Sequence, residues 1–194
     1  MVFNKSIFKK MIKNAYKTCG LLVANKDDRI ILAGGWWMMS VEEKWFPKWG
    51  MAAVIELTGE IPAAGESFRA TSQGNQMELP NEFVLNLDEG RTRREIADRL
   101  VDTHILVDRI GGLQHYLREG SKVVTVNEMM MELYDPDAGE NREPCDITIS
   151  CLEHKWVYWH TPGCSWACGI IDHQGAKAIT FDEKLGEMLE QIQG

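Results

Sequence analysis

The sequence predicts an α+β fold: a mainly antiparallel sheet with N-terminal, central and C-terminal helices packed on it. Three observations predict it. Short apolar runs are separated by Asn, Asp, Gly and Pro turns, as in hairpins. A helical stripe opens the chain and another closes it. Neither Gly34-Gly35 nor Gly111-Gly112 sits in the βαβ setting of a phosphate-binding parallel sheet. The 194 residues are read as one domain, 1–194, with a candidate subdomain break near 88–92 or 135–144.

Residues 4–18 read as a helix. Ile7, Phe8, Met11, Ile12 and Ala15 fall on one stripe at a 3.6-residue period, and Asn4 suits an N-cap. Lys9, Lys10, Lys13 and Lys17 lie off that stripe. Residues 19–24 and 29–33 are strands joined by Asn25-Lys26-Asp27-Asp28, residue types that tolerate turn conformations. The second strand is expected to run on through Gly34-Gly35 into 36–41, before a charged turn at 42–48. Residues 51–58 carry few charges and read as a central strand. A loop-rich stretch follows at 59–80, with a short edge strand at 67–71, and residues 82–87 alternate as a strand.

Thr92 and Glu95 form a capping box, so the central helix starts at about Arg93 with Ile96, Leu100, Val101 and His104 inward. Residues 113–119 read as further helical turns. Residues 122–127 are a strand, and unbroken alternation extends it through 128–134. Residues 135–144 form an exposed turn, the expected site of hinge motion or proteolysis. Strands follow at 146–151, 155–160 and 165–172, the last two joined at Thr161-Pro162-Gly163. Thr180 and Glu183 cap a closing helix whose stripe is Leu185, Met188, Leu189 and Ile192. Both halves thus place helical segments beside antiparallel hairpins, which permits a two-half arrangement like that of processivity clamps. The residues of the two halves do not align, and no repeat or family is assigned.

Composition bounds the function. With 44% hydrophobic and 26% charged residues the chain is ordinary for a globular protein, and no apolar run approaches the ~20 residues that span a bilayer. Lysines 5, 9, 10, 13 and 17 interrupt the N-terminus, so no secretory signal is expected there and a cytoplasmic location is. The odd number of cysteines, five, fits free thiols in a reducing compartment. The formal net charge is -8; residues 1–17 contribute +5, which leaves -13 on the remainder. An acidic body is a poor polyanion binder, so nucleic acid is not the favoured partner.

The sequence concentrates indole in one place. Trp36, Trp37, Trp45 and Trp49 are four of the seven tryptophans. Each removes on the order of 150–250 Å² from water when buried, so the segment either anchors the core or coats a contact surface. The favoured function is a non-catalytic interaction or ligand-binding module that uses these four residues, with a protein partner or self-association and no cofactor. The alternative is a small enzyme or zinc protein built on Cys164, Cys168, His160 and His173, since zinc takes four Cys or His ligands. The spacing opposes it: Cys164 and Cys168 share a strand face about 13 Å apart at ~3.3 Å per residue. A third reading is a nucleic-acid-associated protein, binding through the lysine helix or imitating DNA with its acidic body. Phosphate loops and the common hydrolase motifs are absent.

Overall fold

Asn4 opens the first helix by accepting the backbone N–H groups of Ser6 and Ile7 on its side chain, at 3.0 and 3.2 Å. Helix α1 (Lys5–Thr18) therefore begins where the sequence places it. The computed structural model describes residues 3–78, 98–109, 112–135, 148–152, 156–173 and 176–193. Three strands follow α1 as a meander: β1 (Leu21–Lys26), β2 (Arg29–Ala33) and β3 (Trp37–Glu42). Asp27 and Asp28 both take positive φ, 52° and 58°, as a type I′ turn requires. A 3-10 turn (Glu43–Trp45) leads into α2 (Lys48–Thr58), which stops where Gly59 adopts a left-handed φ of 82°. Strand β4 (Ser67–Thr71) then pairs with β1, and β5 (Gly74–Met77) with β4.

Strands β6 (Asp98–Arg99) and β7 (Val101–Arg109) are one extended path interrupted at the buried Leu100. Strands β8 (Gly112–Glu119) and β9 (Lys122–Asn127) continue from β7 as a second meander. The Asn127 side chain then accepts the Met129 N–H at 3.0 Å and starts the short helix α3 (Glu128–Glu132). Strands β10 (Thr148–Leu152), β11 (Trp156–Thr161) and β12 (Cys164–Gly169) form a third meander, and α4 (Ala176–Gln193) packs on β9.

The larger sheet runs β5-β4-β1-β2-β3-β12-β11-β10-β6 and the smaller β7-β8-β9, with antiparallel pairing throughout. This is the expected α+β fold. The two parts of the chain meet where β3 pairs with β12: Trp37 lies opposite Cys168, Met39 opposite Trp166, and Val41 opposite Cys164. One face of the large sheet carries the main core. Leu21, Val23, Leu32, Met39 and Val41 pack there with Phe8, Met11 and Ile12 of α1, Val54 of α2, and Met130 of α3. Each fully buried side chain of this kind contributes about 1.5–3 kcal/mol. Leu22, Ala33, Met38, Tyr158 and Ala167 form a smaller cluster on the opposite face. Trp159 and Trp166 face each other across the β11–β12 pair, stacked at 6.2 Å and 3°. No helix among the described residues is long and apolar enough to cross a membrane.

Several sequence expectations are corrected. Residues 51–58 are the body of α2, not a strand. Gly50, Ala53, Val54 and Thr58 are its buried side, and a continuous apolar run does not separate a helix from a strand. Strand β2 does not continue into β3: the Gly34 N–H donates to the Trp37 carbonyl at 2.9 Å and turns the chain back. Residues 101–104 belong to β7, where β-branched Val101, Thr103, Ile105 and Val107 alternate. Residues 113–119 are strand β8 rather than helical turns. Residues 128–132 are helical because Asn127 caps them. β5, not β4, is the sheet edge. Thr180 lies inside α4, which starts at Ala176, and Met188 is exposed rather than inward. The expected strand at 82–87, the capping box at 92–95 and both break points, Asp135 apart, lie outside the described residues.

Candidate functional site

Three turns converge at one end of the large sheet. The β1–β2 turn offers the Asp28 carbonyl to the Glu43 N–H at 2.8 Å, and the β11–β12 turn offers the Gly163 carbonyl to the Glu42 N–H at 2.9 Å. Arg29 binds them together, donating from Nε to Ser40 Oγ at 2.8 Å and from Nη2 to the Gly163 carbonyl at 3.4 Å. The 3-10 turn rests on this frame. Phe46 inserts below it, edge-on to Phe8 at 6.1 Å. Trp45 stays outside with 51% of its surface exposed.

The Trp45 ring is nonetheless held on three sides. Its indole N–H lies on the side of the Glu42 carboxylate and helps to stabilise that charge. The Lys44 ammonium, 2.7 Å from Glu42, also lies 5.7 Å from the centre of the Trp45 ring. That ammonium holds the Glu42 carboxyl below the usual carboxylate range, with Arg29 and the indole adding to the effect. Against the third side is Gly163, where a Cβ would stand 2.5 Å from Trp45 Cδ1.

The other three indoles of the segment are placed differently. Trp37 begins β3 with 3% exposure and belongs to the core. Its ring lies so close to Gly34 that a Cβ there would be 2.5 Å from Nε1. Trp36 sits in the β2–β3 turn and Trp49 opens α2, edge-on to Phe8 at 5.4 Å. Both are half-buried against the core.

Cys164, Cys168, His160 and His173 do not come together. Cys164 and Cys168 are buried on the main-core face of β12, and burial pushes the Cys168 thiol far up. His160 pairs across the strands with Ser165, whose Oγ meets its Nδ1 at 2.9 Å; both alternate to the other face of the sheet. His173 lies beside the small sheet instead.

That sheet carries a polar network the sequence reading missed. His173 lies between Asp182 of α4 (Nδ1 to Oδ2, 2.7 Å) and the Gln114 amide of β8 (Nε2 to Oε1, 2.7 Å). The Tyr116 hydroxyl donates to Asp182 at 3.0 Å and accepts from Arg109 at 2.7 Å. Burial, with the Asp182 carboxylate adding, raises the Tyr116 hydroxyl above its usual range. Beside this network, Lys122, Thr125, Ile171, His173, Asp182 and Glu183 line an open cavity of about 420 Å³. Both His173 nitrogens are engaged, and the network ties α4 to the small sheet. On the opposite side of β8, His115 stands in a row with Asp102 (Nε2 to Oδ1, 2.5 Å) and Glu128 (Nδ1 to Oε2, 2.7 Å). The alternation of Gln114 and Tyr116 against His115 and Leu117 is the signal that would have separated these two sets.

No family model matches the chain, and no curated protein matches it. Among solved structures it is similar to the DNA polymerase III subunit beta sliding clamp from Bartonella birtlesii, at 11% identity and a TM-score of 0.28, over 93% of this chain and 67% of that one. It is likewise similar to that clamp bound to griselimycin, at 12% identity and a TM-score of 0.28, with the same coverage. Likenesses this slight carry no weight for fold or function.

Proposed function

We propose that this protein is a non-catalytic interaction module that presents Trp45 as its contact residue, with the half-buried Trp36 and Trp49 in the same segment. The observation that supports the reading is the ring of Trp45, half in water yet packed against Gly163 and under the Lys44 ammonium, beside Glu42. A large amphipathic ring held in one orientation loses little entropy on binding, which is why tryptophan is enriched at binding hot spots. The non-catalytic part rests on the thiols and imidazoles. Burial keeps the Cys168 thiol protonated, and neither imidazole is placed to activate it: His160 is on the opposite face of the sheet and His173 lies beside the small sheet.

Photo-crosslinking tests the proposal. A benzoylphenylalanine at position 45 is compared with one at Ile55, itself 41% exposed on α2. The expected result is a discrete protein adduct from position 45 alone. No adduct, or the same adducts from both positions, overturns the reading. Sedimentation velocity on wild type and Trp45→Ala identifies whether the partner is a second copy.

A further inference from the structure

The lysines of α1 are arranged at a cost to the helix that carries them. Lys5, Lys9, Lys13 and Lys17 follow one another at four-residue steps, and all are exposed. Like charges at that spacing face each other and destabilise a helix, so this ridge holds three unfavourable pairs. Lys5 also sits in the first turn, against the positive end of the helix dipole, and that turn has no acid to offset it. Among the described residues none of these lysines, nor Lys10 beside them, forms an ion pair. The rest of the chain, at -13, has carboxylates to spare, yet α1 contains none.

We infer that the α1 ridge is a docking surface for the phosphate backbone of a nucleic acid. Three features of the helix select that partner. Steps of four residues place successive ammonium groups roughly 6 Å apart in a line, which suits a chain of regularly spaced anions. The polar residues beside them are Ser6, Asn14 and Thr18, all exposed and all of types that contact phosphate and sugar. The apolar stripe Phe8, Met11, Ile12 and Ala15 is spent in the core, so the ridge has nothing to insert into a lipid interface. Nor does it offer an apolar centre for a protein partner, whose interfaces are depleted in lysine. The acidic remainder repels a polyanion elsewhere and orients its approach to α1. This surface is independent of Trp45.

Fluorescence anisotropy with a short labelled DNA duplex tests the inference, over salt from about 50 to 200 mM. Four neutralised phosphates give a log–log slope of about -3.6, and Lys9→Gln with Lys13→Gln lowers its magnitude by about 1.8. The double variant removes all three like-charge pairs, so its melting temperature is unchanged or higher, which separates lost binding from lost folding. Absence of binding at the lowest salt overturns the inference. So does binding that the double variant leaves intact, or equal binding to vesicles of phosphatidylcholine and phosphatidylserine.

Discussion

Replacing Gly163 by Ala tests how the Trp45 ring is held. Gly163 has a φ of +76°, which an L-residue adopts at a cost of about 1–2 kcal/mol. The new Cβ would also stand 2.5 Å from Trp45 Cδ1 and 2.9 Å from Nε1, nearer than van der Waals contact allows. The ring must swing away from the Lys44 ammonium and the Glu42 carboxylate, a loss of about 1 kcal/mol for polar contacts at a partly exposed site. The total for Gly163→Ala is about 2–3 kcal/mol. In a Trp45→Ala background only the backbone term remains. A double-mutant cycle by urea unfolding should therefore show a coupling of about 1 kcal/mol, above the few tenths within which independent sites add. If Gly163→Ala costs the same with and without the indole, the ring is not braced by this turn and the reasoning fails.

Three further outcomes are expected. Phe8 is 1% exposed among the rings of Phe3, Phe46 and Trp49, so Phe8→Ala should lower the urea-derived stability by about 3–5 kcal/mol. Native thiol labelling followed by mass mapping should modify the exposed Cys19 at once, and Cys164 and Cys168 only after unfolding. The row through His115 should give opposite pH signatures at its two ends. Burial opposes ionisation of Asp102, but hydrogen bonds from the His115 ring and the His104 N–H outweigh it and hold the carboxyl below its usual range. Its contribution is present above the ordinary carboxylate pKa and is lost as pH falls through the lowered folded value. Burial raises the Glu128 carboxyl, so its contribution is present below the ordinary pKa and is lost as pH rises through the raised value. Asp102→Asn should thus cost more at neutral than at acid pH, and Glu128→Gln less; parallel unfolding midpoints across that range would refute both.

Where local chemistry decides the structure, the sequence was readable. The Asn4 cap and the stripe from Ile7 to Ala15 placed α1, and Asp27-Asp28 placed the first hairpin. The reading failed where two periods compete. The run around Ala52–Ala53–Val54 satisfies a strand and a helix alike, and only Gly59 beyond it, in a left-handed conformation, marks the helix end. In β7 and β8, a capping box upstream and scattered apolar residues imitated a helix, although the β-branched alternation was there to read. The indole-rich segment was visible as a feature, but not how its rings are divided. That division depends on Gly34 beside Trp37 and on Gly163, which arrives from a distant hairpin to brace Trp45. The His173–Asp182–Gln114 bonds likewise join three separate segments, and no spacing along the chain announces them.

The pairing of β3 with β12 also sets the order in which the protein is completed during synthesis. Until Cys164–Gly169 leaves the ribosome, the strand WMMSVE has no neighbour on one side, and its unpaired N–H and C=O groups form an open edge flanked by apolar side chains. A nascent chain paused in that interval is exposed to strand addition by other molecules, and closure must wait for a contact of long sequence separation. The vulnerable period of this protein is thus the time taken to translate everything between its third strand and its last.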